Sequence, residues 1–87
     1  HTDAQIEAIS PNPAMSYANV QIVTDEANEY ELVVSTSDGK VVKSENITLS
    51  KGENIVQFNS TSFDSGNYII SLKKDRIISS KNLVIIK

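Results

Sequence analysis

The fold class is decided by residues 29–40, which read EYELVVSTSDGK. In the first half of this stretch, the apolar side chains of Tyr30, Leu32 and Val34 fall at every second position, whereas Glu29, Glu31 and, less cleanly, Val33 fall on the other face. An alternation of period two is typical of a β-strand that packs one face on a core and turns the other toward solvent. The stretch therefore predicts a half-buried strand and not a helix.

The second half of the stretch predicts the turn that ends this strand. Asp38 and Gly39 form a dipeptide typical of tight hairpins, because such a turn requires a positive φ angle, which glycine adopts without steric cost. Lys40 then leads into the next apolar segment. Gly52 and Gly66 separate later apolar segments in the same way, and we expect turns at both.

Outward from this hairpin, alternation and turn residues divide the rest of the chain into strands. We predict strands at Ile6–Ile9, Tyr17–Thr24, Tyr30–Ser35, Val41–Leu49, Asn54–Asn59, Asn67–Lys73 and Ile77–Ile86. Several short strands at a spacing of roughly 8–12 residues are typical of a β-sandwich or barrel. We therefore expect an all-β protein with one domain at residues 6–87, preceded by a leader or linker remnant at residues 1–5.

Charge and composition exclude several classes of function. The 87 residues carry 8 basic and 11 acidic side chains, for a formal net charge of −3. Proteins that bind nucleic acid or anionic lipid need a basic surface, so we expect neither activity. The basic group at Lys73, Lys74 and Arg76 is interrupted by Asp75 and lies at a predicted turn. The absence of cysteine excludes disulfides and thiolate metal sites.

No residue pattern indicates catalysis or cofactor binding. The only histidine is His1, at the start of the chain, where a base is not held within hydrogen-bond reach of a partner. The serines lack a histidine partner and lie outside any nucleophile-elbow motif. The acidic residues between Asp25 and Glu31 do not follow the EF-hand pattern, and a solvated strand face explains them better than a calcium site. We expect no catalytic residue, no cofactor and no metal.

The aromatic residues leave a carbohydrate-binding or adhesion module open as an alternative function. Tyr30, Phe58 and Tyr68 alternate with polar positions as core residues do, whereas Tyr17 and Phe63 could be exposed. The lack of tryptophan disfavours an aromatic binding platform. A structural spacer that polymerises by strand exchange is a second alternative, and it requires a missing or swapped strand.

The chain closes on an apolar run, Leu83 to Ile86 followed by Lys87, that does not alternate. Such a run is expected to be buried on both faces or to be held by a partner. If the run forms an edge strand, it offers a route for strand addition by another protein or for a dimer between two copies of the chain.

Five short motifs follow one another along the chain. They are Pro11-Asn12-Pro13, Asp38-Gly39-Lys40, Gly52 with Asn54, Gly66 with Tyr68, and Lys81-Asn82-Leu83-Val84-Ile85-Ile86-Lys87. Their order resembles a known family, the C-terminal sorting domains of the bacterial type IX (Por) secretion system. The resemblance covers Ile9 to Lys87 and departs from the family at Asp38, which directly precedes the glycine, and at Phe63, where a leucine is expected.

The resemblance implies a fold and a function. The family's domains are immunoglobulin-like β-sandwiches at the C-terminus of larger cargo proteins. By this resemblance, the domain passes through the periplasm, is recognised by the outer-membrane translocon, and directs its N-terminal cargo to the cell surface or the medium. A surface sortase then typically removes the domain, and we expect its cleavage site near His1–Gln5.

The closing motif is the expected recognition element for the translocon and the sortase. We expect it to comprise Lys81, Leu83, Val84, Ile85, Ile86 and Lys87, and the earlier motifs to serve as structural turns. A label of this kind needs a stable scaffold with a displayed segment and no cleft. On this hypothesis, deletion of Leu83–Lys87 abolishes export while most of the sandwich stays folded.

Overall fold

The computed structural model describes residues 4–86, and every regular element in this part of the chain is a β-strand. The strands are β1 (Ala4–Ser10), β2 (Tyr17–Thr24), β3 (Asn28–Thr36), β4 (Val41–Leu49), β5 (Gly52–Asn59), β6 (Gly66–Lys74) and β7 (Arg76–Ile85). The prediction of an all-β fold is confirmed. β1 begins at Ala4, so this strand includes two residues that the sequence analysis assigned to the leader remnant, Ala4 and Gln5.

The strands form two sheets that pack face to face. One sheet has three strands in the order β1-β2-β5, and the other has four in the order β4-β3-β6-β7. Every ladder between these strands is antiparallel. The arrangement is an antiparallel β-sandwich, as the sequence analysis predicts.

The core lies between the sheets and consists of the alternating residues of each strand. The predicted core aromatics Tyr30, Phe58 and Tyr68 are buried. Phe63 packs edge-to-face between two of them, 5.2 Å from the ring centre of Phe58 and 5.5 Å from that of Tyr68. Tyr17 is the exposed aromatic residue, at 44%. One exposed aromatic side chain does not form a binding platform.

The start of β1 and the end of β7 lie at opposite ends of the sandwich. β1 begins beside the end of β2, where Ala4 pairs with Thr24. β7 ends beside Ala14, which follows β1 and forms a parallel bridge with Ile85. We call these two ends of the sandwich the N-terminal pole and the C-terminal pole. They lie at opposite ends of a body that measures 37 × 22 × 17 Å.

Candidate functional site

The closing run is the last part of β7, an edge strand of the four-stranded sheet. β7 pairs with β6 alone within its sheet, with Leu83 opposite Tyr68 and Ile85 opposite Gly66. The side chains of Leu83 and Ile85 point inward and are buried. Val84 is half-buried and Ile86 is 47% exposed. The run is therefore fully buried on its inner face alone, and of the two alternatives expected from the sequence, burial on both faces or retention by a partner, the first does not occur within the described residues.

The outer edge of β7 is covered by the proline motif. The side-chain carbonyl oxygen of Asn12 accepts a hydrogen bond from the Val84 backbone amide (3.0 Å). The side-chain NH2 group of Asn12 donates a hydrogen bond to the backbone carbonyl oxygen of Asn82 (3.2 Å). The Ala14 amide then donates to the Val84 carbonyl (2.8 Å), and the Ile86 amide donates to the Ala14 carbonyl (2.9 Å). The backbone of the run is thus bonded on both sides, and this half of β7 is not an unpaired edge.

The chain between Ser10 and Ala14 reaches this edge by bending. Both peptide bonds to proline, Ser10-Pro11 and Asn12-Pro13, are cis. The side-chain amide of Asn12 carries an NH2 group that donates and a carbonyl oxygen that accepts, and so offers the same kinds of group as a peptide unit at a strand edge. The two outermost motifs of the sequence therefore form one unit. No signal of local periodicity could have found this contact, because its partners lie about 70 residues apart.

The Asp38-Gly39-Lys40 motif forms the tight turn between β3 and β4. Gly39 has a φ angle of 96° and donates its amide to the Thr36 carbonyl, while the Thr36 amide donates to the Lys40 carbonyl. The Thr36 hydroxyl donates a hydrogen bond to the Asp38 carboxylate. This bond lowers the pKa of Asp38 below its ordinary value, because it stabilises the charged form.

The two remaining glycine motifs make different contacts. The side chain of Asn54 accepts a bond from the Ser50 amide (3.0 Å) and donates to the Ser50 carbonyl (2.8 Å), which closes the turn around Gly52. The hydroxyl of Tyr68 donates to the Asp64 carbonyl (2.7 Å) and fixes the loop before β6. Both contacts fix loops next to strand ends, and the motif residues do not converge on a cleft.

Exposed apolar side chains gather at the C-terminal pole. Met15 follows Ala14 and is 71% exposed, and Tyr17 opens β2 two residues later. Ile86 bonds to Ala14 through its backbone and is exposed beside them. We call these three residues, Met15, Tyr17 and Ile86, the C-pole patch. Sequence reasoning identified Ile86 but missed Met15, which lies in a loop without periodicity.

The described part of the chain contains neither a candidate metal site nor a candidate membrane-spanning helix. Residues 4–86 contain no group of three or more histidine, cysteine, aspartate or glutamate side chains placed to hold a metal ion. No helix within this range is long and apolar enough to cross a membrane. His1 and Lys87, singled out by the sequence analysis, lie outside the described residues.

Solved structures resemble this fold at low sequence identity. The chain aligns over its full length with 14% of a β-glucosidase from Kluyveromyces marxianus, at a TM-score of 0.70 and 11% identity. It aligns over 98% of its length with 92% of the CARDB domain of the PF1109 protein from Pyrococcus furiosus, at a TM-score of 0.55 and 13% identity. At these identities the likeness shows the fold alone. Among curated proteins, no match to the chain was found.

The family comparison covers nearly the whole chain. The model of the secretion system C-terminal sorting domain, Por_Secre_tail, matches residues 8–87. This family consists of sorting signals and is not a family of enzymes. The chain belongs to the family of secretion system C-terminal sorting domains, and it is a C-terminal sorting signal of the type IX secretion system.

Proposed function

We propose that the secretion machinery reads this sorting signal at its C-terminal pole, through the exposed members of the closing run and the C-pole patch. The observation that supports this proposal is the double anchoring of the run. β6 bonds one edge of its backbone, and Asn12 and Ala14 bond the other. A segment held in this way presents its exposed side chains in a fixed geometry, which lowers the entropy lost on binding.

The closing motif then divides into two kinds of residue. Leu83 and Ile85 anchor the strand in the core. Lys81 and Ile86 are exposed, and Val84 lies half-buried on the outer face, so these three are available for contact. We assign recognition by the translocon to Lys81, Val84 and Ile86, and we assign to Leu83 and Ile85 the role of holding them in place. Lys87 keeps its expected role in recognition as a prediction.

The cargo and the sortase act at the other pole in this proposal. A cargo joined before β1 enters the domain beside Thr24, away from the C-pole patch. Ala4 is buried and paired in β1, which shields its backbone from a protease in the folded domain. We therefore place the sortase cleavage site before Ala4. Transit through the periplasm, followed by release at the cell surface or into the medium, completes the proposed route.

A reporter fusion tests the proposal directly. A signal peptide and a fluorescent protein are joined to the domain and expressed in a bacterium with a working type IX system and in a strain that lacks it. Surface or medium fluorescence is expected in the competent strain alone. The mass of any domain released into the medium locates the cleavage site.

A matched pair of variants tests the surface that is read. Ile86→Ser alters the C-pole patch just after β7, whereas Ile77→Ser alters an isoleucine of β7 that is 59% exposed near the other pole. We expect Ile86→Ser to reduce export strongly and Ile77→Ser to leave it unchanged, with the unfolding temperature the same for both. Undiminished export of both variants would assign recognition to another surface, while the loss of export in both would point to a general need for strand β7.

Deletion of Leu83–Lys87 does not separate lost recognition from lost folding, although the sequence analysis expected most of the sandwich to stay folded without these residues. Leu83 and Ile85 are among the largest fully buried side chains of the core. Removing one such side chain costs about 2–5 kcal/mol, so deletion of residues 83–87 removes a large share of a stability that is about 5–15 kcal/mol for a typical domain. Lost export of the truncation would report unfolding as readily as lost recognition.

A further inference from the structure

The sandwich has four edge strands, and three of them carry features that oppose pairing with another chain. These edges are β1 and β5 of one sheet and β4 and β7 of the other. Asn12 and Ala14 cover the end of β7. β1 is interrupted by a bulge after Ile6, whose amide donates to the Ser79 hydroxyl of β7. Bulges and covered edges are devices by which proteins prevent edge-to-edge association.

β4 is protected by charges that point into the sandwich. Lys43 lies opposite Val34 and Glu45 lies opposite Leu32, and both of these partners are core residues of β3. Residues directly opposite in a ladder share one face of the sheet, so both charges face inward. Inward-pointing charges on an edge strand disfavour the addition of a further strand.

β5 carries none of these features. Its eight residues pair with β2 in unbroken register, and they include neither a proline nor a bulge. The Ser60 amide donates to the Ser16 carbonyl just beyond the ladder. Since antiparallel pairs alternate, the even-numbered residues of β5 bond to β2, and the amide and carbonyl groups of Glu53, Ile55 and Gln57 point away from the sheet.

Within residues 4–86, no strand lies beside the outer edge of β5. β1 lies next to β7, so the order of the strands places β5 opposite β3 and leaves β4 with no strand facing it. The inward side chains of β4 are accordingly half-buried at Lys43, Glu45 and Ile47, whereas Leu49 at the strand end is buried. The Lys43 ammonium bridges part of this gap and lies 5.4 Å from the ring centre of Phe58 in β5.

We propose that β5 accepts a fourth strand from another protein chain, an extended segment that lies beside β5 and opposite β4. The segment gains main-chain hydrogen bonds from Ile55 and its neighbours and covers the half-exposed inner face of β4. Its inward positions meet Lys43, Glu45 and Ile47 in turn, so the complementary segment carries an acidic, a basic and an apolar side chain at alternate positions. This site goes beyond the sorting function proposed above and does not depend on it.

A second copy of the domain does not fit this site. Two β5 strands that pair antiparallel are related by a two-fold axis perpendicular to the sheet, which places both four-stranded sheets on the same side. β4 extends over the space beside β5, and the partner copy would need that space for its own β3. A single extended segment brings no second layer and avoids this collision.

The test uses the 87-residue domain and a synthetic peptide of eight residues, the length of β5. The peptide carries glutamate, lysine and isoleucine at alternate positions with threonines between them, and a control peptide has the two charges exchanged. Binding is followed by NMR, with amide hydrogen exchange read at each residue. We expect the first peptide to slow exchange at Ile55 and Gln57, and the control peptide to bind more weakly.

A proline variant tests whether the peptide binds at the β5 edge or at another surface. Ile55→Pro removes an amide that faces solvent and leaves the bonds between β5 and β2 intact, so the fold tolerates it as edge strands do. We expect affinity for the peptide to fall about tenfold, the equivalent of one hydrogen bond, while Ile55→Val binds like the original domain. Protection at β4 amides without protection at Ile55 and Gln57, unchanged binding by the proline variant, absence of binding by the first peptide, or a dimer that this variant abolishes would each overturn the proposal.

Discussion

A single asparagine links the beginning of the sandwich to its end. The side-chain amide of Asn12 bonds to the Val84 amide and the Asn82 carbonyl, and it stands in for a strand residue at the edge of β7. The backbone around Asn12 is a poor partner for the edge of β7, because the prolines on either side have no amide hydrogen to donate. The Pro-Asn-Pro motif therefore works through its central side chain.

We predict that Asn12→Ala destabilises the domain by about 1–2 kcal/mol, because two modest hydrogen bonds at an exposed edge are lost. Urea denaturation measures the change, and amide exchange at Val84 should accelerate in the same variant. Asn12→Asp is the matched control, since it retains an acceptor for the Val84 amide and loses the donor to Asn82. An Asn12→Ala domain as stable as the original would show that Ala14 alone secures this edge.

The motif glycines are not equivalent at the level of the backbone. Gly52 has a φ angle of 101°, in the region that residues with a side chain rarely adopt, whereas Gly66 is not in that region. A Cβ atom at Gly52 would meet no atom within 4 Å, and one at Gly66 would lie 3.8 Å from the Tyr68 ring. The difference between the two positions is therefore one of backbone conformation and not of space.

We predict that Gly52→Ala costs about 1–2 kcal/mol, the usual penalty for a side chain in a left-handed conformation. Gly66→Ala should change stability by less than about 1 kcal/mol, because the new methyl group makes an ordinary contact and the unfolded chain loses freedom. Thermal unfolding of the two variants under identical conditions compares them. A larger loss at Gly66 than at Gly52 would contradict this account of the motif.

At the scale of elements, β7 combines anchoring and display in a single strand. In its closing residues Leu83, Val84 and Ile85, inward and outward side chains alternate, and the sequence hides this division because all three are aliphatic. We predict that Leu83→Ala destabilises the domain by about 2–5 kcal/mol through the cavity it leaves, whereas Val84→Ala costs less than about 1.5 kcal/mol. Chemical denaturation checks both values, and comparable losses would mean that the outer face of β7 is covered.

The elements themselves were largely predictable, and their contacts were not. The alternation around Tyr30 and the turn at Gly39 fix the ends of β3 and β4 to within two residues, because strand period and turn geometry are local properties. The docking of Asn12 on β7 and the gap beside β5 depend on the order of strands in space, which no local pattern encodes. Exposure of Ile86 follows from the same non-local arrangement.

At the scale of the whole molecule, the point where a cargo is joined lies far from the surface that we propose for recognition. Ala4 and Ile86 lie at opposite poles of a body 37 Å long, so a protein joined at the first does not crowd the second. An immunoglobulin-like sandwich of this kind needs no hinge to present its C-terminal pole. The distance between the poles therefore predicts that the surface we propose for recognition stays accessible whatever the size of the cargo.

This arrangement predicts an asymmetry in where a cargo can be attached. A fluorescent protein joined before Ala4 should be exported, whereas the same protein joined after Lys87 should stay in the periplasm, because it covers Met15, Tyr17 and Ile86. Protease resistance of the domain in both fusions controls for folding, and cell fractionation with fluorescence measures export. A short glycine–serine extension after Lys87 separates bulk from chemistry, since it leaves the C-pole patch accessible and should preserve export. Equal export of the two large fusions would mean that the machinery reads a surface away from the C-terminal pole.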